Sequence, residues 1–359
     1  MPTIDADAHI IETTHTWERV ADINEHFLPK IVEQIYGGNV FSNEGDVRTD
    51  YWMIDNKTHS KDRNLGKDTC QESRELRDVD ARLRHMDELE IDIQVLYPTL
   101  FLRPVTQNLE VEYALCYSYN RYMADIWKQS QNRLRWTVLP PMLSPMPKIR
   151  EEFEFAKEYG ACGIFVRGLE CERQLTDSYF YPLYETAGEL DLPICDHAGS
   201  NSFIIHDFYN TVGSNKFNSG ESFNKFKLVT VGACHAMILD ALPAKFPKVR
   251  WGILEASSQW IPYILNDLQL RFDRQGRDFP AKGEVLKENN IWVACQFTDD
   301  LDIVVPSAGE GQLMIGTDYG HHDTATNIHA IRNLKQEAKI ASHIIDKILD
   351  ENARTFYGI

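Results

Sequence analysis

Short apolar runs alternate with longer amphipathic stretches along most of the chain. The runs predict strands at Thr3–Ile10, Ile91–Tyr97, Trp136–Pro140, Gly163–Arg167, Leu192–His197, Val249–Glu255, Ile291–Gln296 and Gln312–Thr317. Helical periodicity between them covers Val79–Leu89, Val111–Gln129, Pro147–Glu158, Tyr179–Leu190, Ala236–Ala244 and Gln259–Phe272. Asn327–Gln336 and Ala338–Asp350 follow the last strand as helices. Eight strands separated by helices predict parallel βαβ units, and eight is the number that closes a distorted (β/α)8 TIM barrel of the α/β class. A doubly wound open sheet would carry a glycine-rich phosphate loop after an early strand, and the chain has none.

Two stretches break the pattern. Residues 13–75 mix Asn, Gly, Asp and aromatics without sustained periodicity, and residues 200–227 contain Asn201, Asn210, Gly213, Asn215, Asn218 and Gly220. Each follows a predicted strand, the first and the fifth, so in a barrel both insertions lie on the C-terminal, catalytic face. The chain has no internal repeat, and residues 1–359 are expected to form one barrel domain carrying the two insertions.

Composition narrows the class. The 359 residues are 43% hydrophobic and 25% charged, which suits a soluble globular enzyme with a large core. A net charge of −17 argues against nucleic-acid binding, because phosphate contacts need clustered Lys and Arg. The seven cysteines are scattered and form no C-x-x-C pair, as expected of buried thiols in a reducing compartment. No basic region precedes an apolar stretch at the N-terminus, and no run approaches eighteen apolar residues. A cytoplasmic protein without a membrane span is the expectation.

The strand ends carry the candidate chemistry. Alternation along the first strand places Asp5, Asp7 and His9 on one face, a spacing that lets Asp7 and His9 reach a common ion. The fifth strand ends in His197, the sixth in Glu255 and the eighth in Asp318. In a barrel these C-terminal ends converge where such enzymes keep their chemistry. A salt-bridged carboxylate or a core histidine explains any one of them, but explains all four poorly. His235, at the expected start of a helix, and His321 could complete a second metal site or act as acid or base. Glu12, His15, His322 and Asp323 are weaker candidates of the same kind. Arg103 and Arg167 lie just beyond strands two and four, where each could bind a substrate carboxylate or pair with one of the many acidic residues.

These residues resemble a known family. Ile4-Asp5-x-Asp7-x-His9 is similar to the opening of the amidohydrolase superfamily, in particular its amidohydrolase-related branch containing aminocarboxymuconate semialdehyde decarboxylase. Arg82-Leu83-Arg84-His85-Met86-Asp87, Phe246-Pro247-Lys248-Val249-Arg250, Gly316-Thr317-Asp318-Tyr319-Gly320-His321 and Asn352-Ala353-Arg354-Thr355-Phe356-Tyr357-Gly358 agree in order with that branch. The resemblance spans nearly the whole chain. It implies a distorted barrel with metal at the C-terminal strand ends, held by Asp7, His9, His197 and Asp318, with Glu255, His235 and His321 as further ligands.

The departures bear on the chemistry. Asp7 stands where the family usually has the first histidine of His-x-His, and Glu255-Ala256-Ser257 stands where many decarboxylase-like members have a histidine. Gly163-Ile164-Phe165-Val166-Arg167 ends without the Lys or Glu of a carbamate-bridged dizinc site. Oxygen-rich ligand sets suit Mn and Fe better than imidazole-rich ones, which suit Zn. The pattern therefore resembles amidohydrolase-related oxygenases with a dinuclear Fe/Fe or Mn/Fe centre, in which O2 hydroxylates a C–H bond of a small, carboxylated substrate. The alternatives are a hydrolase that activates water with the metal and Asp318, then a non-oxidative decarboxylase with His235 as proton donor. A partner subunit with a degraded site ranks last, since the ligand set is intact. The resemblance also implies a homo- or hetero-oligomer.

Overall fold

The computed structural model describes residues 2–36, 47–61, 64–210 and 223–359. Eight parallel strands follow one another around a single sheet: β1 (Ile4–His9), β2 (Ile93–Tyr97), β3 (Leu134–Val138), β4 (Ala161–Val166), β5 (Ile194–His197), β6 (Trp251–Leu254), β7 (Ile291–Cys295) and β8 (Leu313–Ile315). Each connection contains a crossover helix: α1 (Val79–Glu88), α2 (Leu109–Gln129), α3 (Met146–Glu158), α4 (Tyr181–Glu189), α5 (Leu228–Leu239), α6 (Ile261–Gln275) and α7 (Leu301–Ala308), with shorter helices beside some of them. All eight predicted strands are present, and the distorted (β/α)8 barrel is the fold. Among the described residues, no helix is long and apolar enough to cross a membrane.

The helices follow from their sequences. Asp78 caps α1 through Ala81 N–H (2.9 Å), and Val79, Leu83 and Met86 turn one stripe into the core. Asn108 caps α2 in the same way through Glu110 N–H (3.0 Å). The helix expected at Ala236 begins earlier, at Leu228. Gly232 and the small residues around it hide the helical period, because α5 is apolar on nearly every face. His235 consequently lies well inside the helix rather than at its start.

The barrel closes between β1 and β8 without a continuous ladder. His9 N–H donates to Tyr319 O (2.8 Å), Asp318 N–H donates to Asp7 O (2.9 Å), and the Asp5 carboxylate accepts Thr317 N–H (2.9 Å). The Asn352–Tyr357 helix seals the barrel wall from outside. Asn352 Nδ2 donates to Leu313 O (2.8 Å), the Tyr357 hydroxyl donates to Ala6 O (2.6 Å), and Phe356 packs against Gly252, where an added Cβ would come within 2.4 Å of its ring. The Asn-Ala-Arg-Thr-Phe-Tyr-Gly ending is thus part of the barrel's framework.

The insertion after β1 contains an antiparallel sheet, Lys30–Tyr36, Val47–Ile54 and Lys57–Ser60. The insertion after β5 contains a helix, Phe203–Asn210. Residues 37–46, 62–63 and 211–222 of the two insertions, including Gly213, Asn215, Asn218 and Gly220, lie outside the described residues.

Buried Asp196 gives a direct test of the β5–α5 packing. Its nearest polar partner is the Thr230 hydroxyl, 3.5 Å away, and its Oδ2 has no partner among the described residues. Burial, reinforced by the Glu170 charge, pushes its carboxyl well above the usual carboxylate range. The folded protein therefore holds a proton there that the unfolded chain releases above a pH of about 4. Stability falls with rising pH, by about 1.4 kcal/mol per unit, until the folded carboxyl itself titrates. Asp196→Asn is expected to remove this slope, so the variant gains melting temperature over wild type progressively as pH rises above about 5, until the folded carboxyl titrates.

Candidate metal centre

Asp7, His9, His197 and Asp318 converge at the C-terminal ends of β1, β5 and β8, with Glu255 beside them at the end of β6. His197 Nε2 lies 3.1 Å from Asp7 Oδ1, and His9 Nε2 lies 3.5 Å from both Asp7 Oδ1 and Asp318 Oδ1. Asp7, His9, His197 and Asp318 are each at most 2% exposed. Among the described residues, three groups could hold a metal ion: Asp7–His9–His197, His9–Asp318–His321 and Glu255–Asp318–Asp323.

Strict alternation fails in β1. Its register against β2 slips by one residue between Asp5 and Ala8. Asp5 therefore does not join Asp7 and His9, as alternation predicted. It accepts from Gln94 Nε2 (2.8 Å) and from the Thr317 backbone and hydroxyl instead. Gly316 lets β8 approach Asp7, since a Cβ at 316 would come within 2.5 Å of the Asp7 Cβ. Gly316→Ala is expected to displace Asp7 and weaken metal binding by about 10–100-fold, as measured by titration of the metal-free protein.

The hydrogen bonds prepare both imidazoles as ligands. His9 Nδ1–H donates to Pro98 O (3.2 Å) and His197 Nδ1–H to Ala198 O (2.9 Å), which leaves both Nε2 lone pairs facing the Asp7 carboxylate. Two lone pairs around a carboxylate repel unless a cation or proton lies between them. Burial and the neighbouring imidazoles His321 and His197 push His9 down to about 3, so its ring is neutral. His9 Nε2 and Glu255 Oε2 are buried without a hydrogen-bond partner among the described residues.

The carboxylates have the complementary problem. Burial works against ionising Asp7, but where a proton takes the place of a cation between it and the imidazoles, His197 and then His9 outweigh burial and hold the group below the usual range. Burial pushes Glu255 well above that range, aided by the charges of Asp323, Asp318 and Asp7. Burial likewise raises Asp318 to about 7. A divalent cation relieves this crowding, so the residues fit the metal that the barrel implies. A cavity of about 10 Å³ among Asp7, Glu255, Cys295, Gln296, Gly316 and Asp318 is the size of a single small occupant. A larger cavity, about 220 Å³, lies between Leu169–Gln174 and α5 and has no ionisable lining.

His321 is held differently. Its Nδ1 lies 2.7 Å from Asp318 Oδ1, and its Nε2 lies 2.9 Å from the Thr99 hydroxyl. That hydroxyl already donates to Ile10 O (2.7 Å), so it accepts from His321. The Asp318 carboxylate outweighs burial and raises the His321 pKa. Asp318 also accepts from the Thr326 hydroxyl (2.6 Å). Glu255 and Asp318 both adopt left-handed backbone, φ 58° and 52°, a strained choice that turns each side chain at its strand end.

Other candidates fall elsewhere. His235 is not brought to the centre; its Nε2 pairs with Asp267 of α6 (2.8 Å), because α5 starts seven residues before it. Glu12 accepts from Thr99 N–H (2.8 Å) and Leu100 N–H (3.0 Å), holding the turn that carries Thr99; burial pushes its carboxyl up to about 7. His15 pairs with Glu18 in solvent, and His322 N–H donates to Asn64 Oδ1 (3.1 Å). Arg167 is engaged by Glu170 through two hydrogen bonds of 2.8 and 2.6 Å, the second reading the sequence had left open. Arg103 donates to Ser60 O (3.3 Å). Sequence reasoning passed over Thr99 and Thr326, whose hydroxyls orient the Asp318–His321 pair and carry no motif of their own.

The family model described as Amidohydrolase matches residues 4–359. The chain belongs to the amidohydrolase family. It is a metal-dependent enzyme of the amidohydrolase fold, as the sequence resemblance implied. Among solved structures, an amidohydrolase from Mycobacterium avium subsp. paratuberculosis superposes with a TM-score of 0.77 at 18% identity, covering 100% of this chain and 98% of that one. 5-Carboxyvanillate decarboxylase LigW from Sphingomonas paucimobilis gives 0.65 at 18% identity, covering 100% and 99%. A 5-carboxyvanillate decarboxylase from Novosphingobium aromaticivorans, complexed with manganese and 4-hydroxy-3-methoxy-5-nitrobenzoic acid, gives 0.61 at 19% identity, covering 77% and 79%. At these identities the likeness is one of fold. No curated protein matches the chain.

Proposed function

We propose that this amidohydrolase-fold enzyme removes a carboxylate, without oxidation, from a small aromatic or unsaturated acid. The observation that carries this reading is the Asp318–His321 pair. It is buried, the Asp318 carboxylate favours the protonated form of the His321 imidazole 2.7 Å away, and it is set against the Asp7–His9–His197 group. It can therefore hold a proton at neutral pH beside the place where substrate meets the metal. Asp7, His9, His197 and Asp318 would hold the ion, with Glu255 beside them. When bound, the ion supplies positive charge that orients the substrate and stabilises the negative charge that builds up on it.

The chain's own residues do the rest. As the bond from carbon to carboxylate breaks, its electron pair stays on carbon and takes a proton from the Asp318–His321 pair, releasing CO2. Solvent then returns the proton to the pair. Thr99 holds His321 and Thr326 holds Asp318, which fixes both members of the pair. The mixed nitrogen and oxygen donors suit manganese or iron as well as zinc, and a decarboxylase of the same fold is complexed with manganese.

Hydrolysis is the second reading, favoured by the same carboxylate. Opposite a bound cation Asp318 is ionised and can accept a proton from water. Hydroxylation with O2 would call for two ions. Among the described residues, Glu255–Asp318–Asp323 shares no member with Asp7–His9–His197, but Asp318 already accepts from His321 and Thr326, and Asp323 from Ala325 N–H and Asn64. We therefore favour one ion.

The test is turnover of metal-loaded protein on carboxyl-¹³C-labelled hydroxybenzoic acids and unsaturated diacids. Labelled CO2 is expected at the same rate with and without air. Dependence on O2, with ¹⁸O from ¹⁸O2 in the product, would contradict the reading, and cleavage products without CO2 would move it to hydrolysis.

A further inference from the structure

We propose that Gln296 is a substrate-binding residue, whose side-chain Nε2–H donates to a carboxylate oxygen of the molecule held beside the ion. Gln296 follows β7 directly, at the same end of the barrel as the metal centre. The inference rests on the metal centre of the proposed function, and not on the kind of reaction performed there.

Register places the side chain. Ala294 of β7 pairs with Met314 of β8. Gln296 and Gly316 each lie two residues further along, so strand alternation gives them the same face of the sheet. That face is the one toward Asp7, since a Cβ on Gly316 would come within 2.5 Å of the Asp7 Cβ. Gln296 accordingly lines the small cavity of the metal centre together with Asp7, Glu255 and Asp318.

Asp299 fixes this position. Its carboxylate accepts from Gln296 N–H (2.9 Å), Ser258 N–H (2.7 Å) and the hydroxyls of Ser257 (2.6 Å) and Ser258 (2.7 Å). These four donors engage both oxygens of the carboxylate. The turn after β6, which carries Glu255, is thereby clasped to the turn after β7, which carries Gln296.

Among the described residues, three buried polar atoms at the centre have no hydrogen-bond partner: His9 Nε2, Glu255 Oε2 and Gln296 Nε2. The first two are acceptors, and a cation satisfies both. Gln296 Nε2 is a donor, which a cation repels and which has no lone pair to offer it. Turning the amide over would aim Oε1 at the carboxylates of Asp7, Glu255 and Asp318, so the N–H end faces this acidic cavity. An ion alone therefore leaves one buried donor unsatisfied, a costly state. A substrate carboxylate that meets the ion with one oxygen and Nε2–H with the other relieves it, and the hydrogen bond is of the stronger, charge-assisted kind.

Paramagnetic broadening of the ¹³C-formate resonance by manganese-loaded protein tests this contact without turnover. Manganese affinity is measured first, by titration of the metal-free protein. Wild type is expected to bind the ion and then to broaden formate saturably. Gln296→Leu should hold manganese affinity within about twofold and weaken formate by about tenfold or more. Gln296→Glu, equal in length but anionic at its end, should weaken formate at least as much. Both variants keep the backbone bond from residue 296 to Asp299 and remove no bond made by Nε2, so both are expected to fold. Unchanged formate affinity in both variants overturns the contact and leaves solvent as the partner of Nε2. A large loss of manganese affinity in Gln296→Leu also overturns it, by making Oε1 a ligand of the ion. So does wild type that binds manganese yet shows no saturable broadening. Wild type that binds no manganese contradicts the metal centre itself, at the first step, and the inference falls with it.

Discussion

Asp318→Asn is expected to lower kcat by about 10³-fold while the barrel stays folded. Asparagine keeps the shape and can still accept from Thr326, so β8 and the left-handed turn at 318 have no reason to rearrange. It cannot hold the shared proton, and it no longer raises the pKa of His321. Asp7, His9 and His197 remain as donors, so metal should still bind, more weakly. The expected pattern is a large fall in kcat, a small change in KM, retained circular dichroism and retained metal. A fall confined to KM would assign Asp318 to binding rather than proton transfer.

Asp5→Ala is expected to cause the largest loss of stability of any single change near the site, about 3–9 kcal/mol. Asp5 is fully buried and holds β1 to β8 through the backbone and hydroxyl of Thr317, and to β2 through Gln94. Alanine leaves these three donors without an acceptor in the barrel wall, each worth about 1–3 kcal/mol. Against a usual total of about 5–15 kcal/mol, the variant should approach the unfolding threshold. Urea denaturation measures the effect. A loss below about 1 kcal/mol would mean that the backbone bonds His9 N–H to Tyr319 O and Asp318 N–H to Asp7 O, not Asp5, close the barrel.

Much of this architecture is legible in the amino-acid order. The eight strands are short apolar runs bounded by polar residues, and a barrel needs each run buried on both faces. Asp7, His9, His197, Glu255 and Asp318 are legible for a related reason. Each ends such a run, and closing the sheet brings strand ends together. His321 is legible as the end of the Gly-Thr-Asp-Tyr-Gly-His segment, although its role as partner to Asp318 depends on a hydrogen bond to Thr99 that sequence spacing does not encode.

The remaining features depend on backbone detail. One extra residue in β1 separates Asp5 from Asp7, and alternation alone assigns them to one face. His235 is misplaced because the sequence around Gly232 conceals two turns of helix. Arg167 becomes committed to Glu170 only when the chain turns back after β4.

The central claim is that Asp7, His9 and His197, with Asp318, hold a catalytic metal ion. Elemental analysis of wild type and Asp7→Ala, both expressed without added zinc and shown to be folded, tests it most directly. The account predicts about one equivalent of manganese, iron or zinc in wild type, and loss of nearly all of it in the variant, as for removal of a direct ligand. Wild type without bound metal, or a variant that retains full occupancy, would contradict the account.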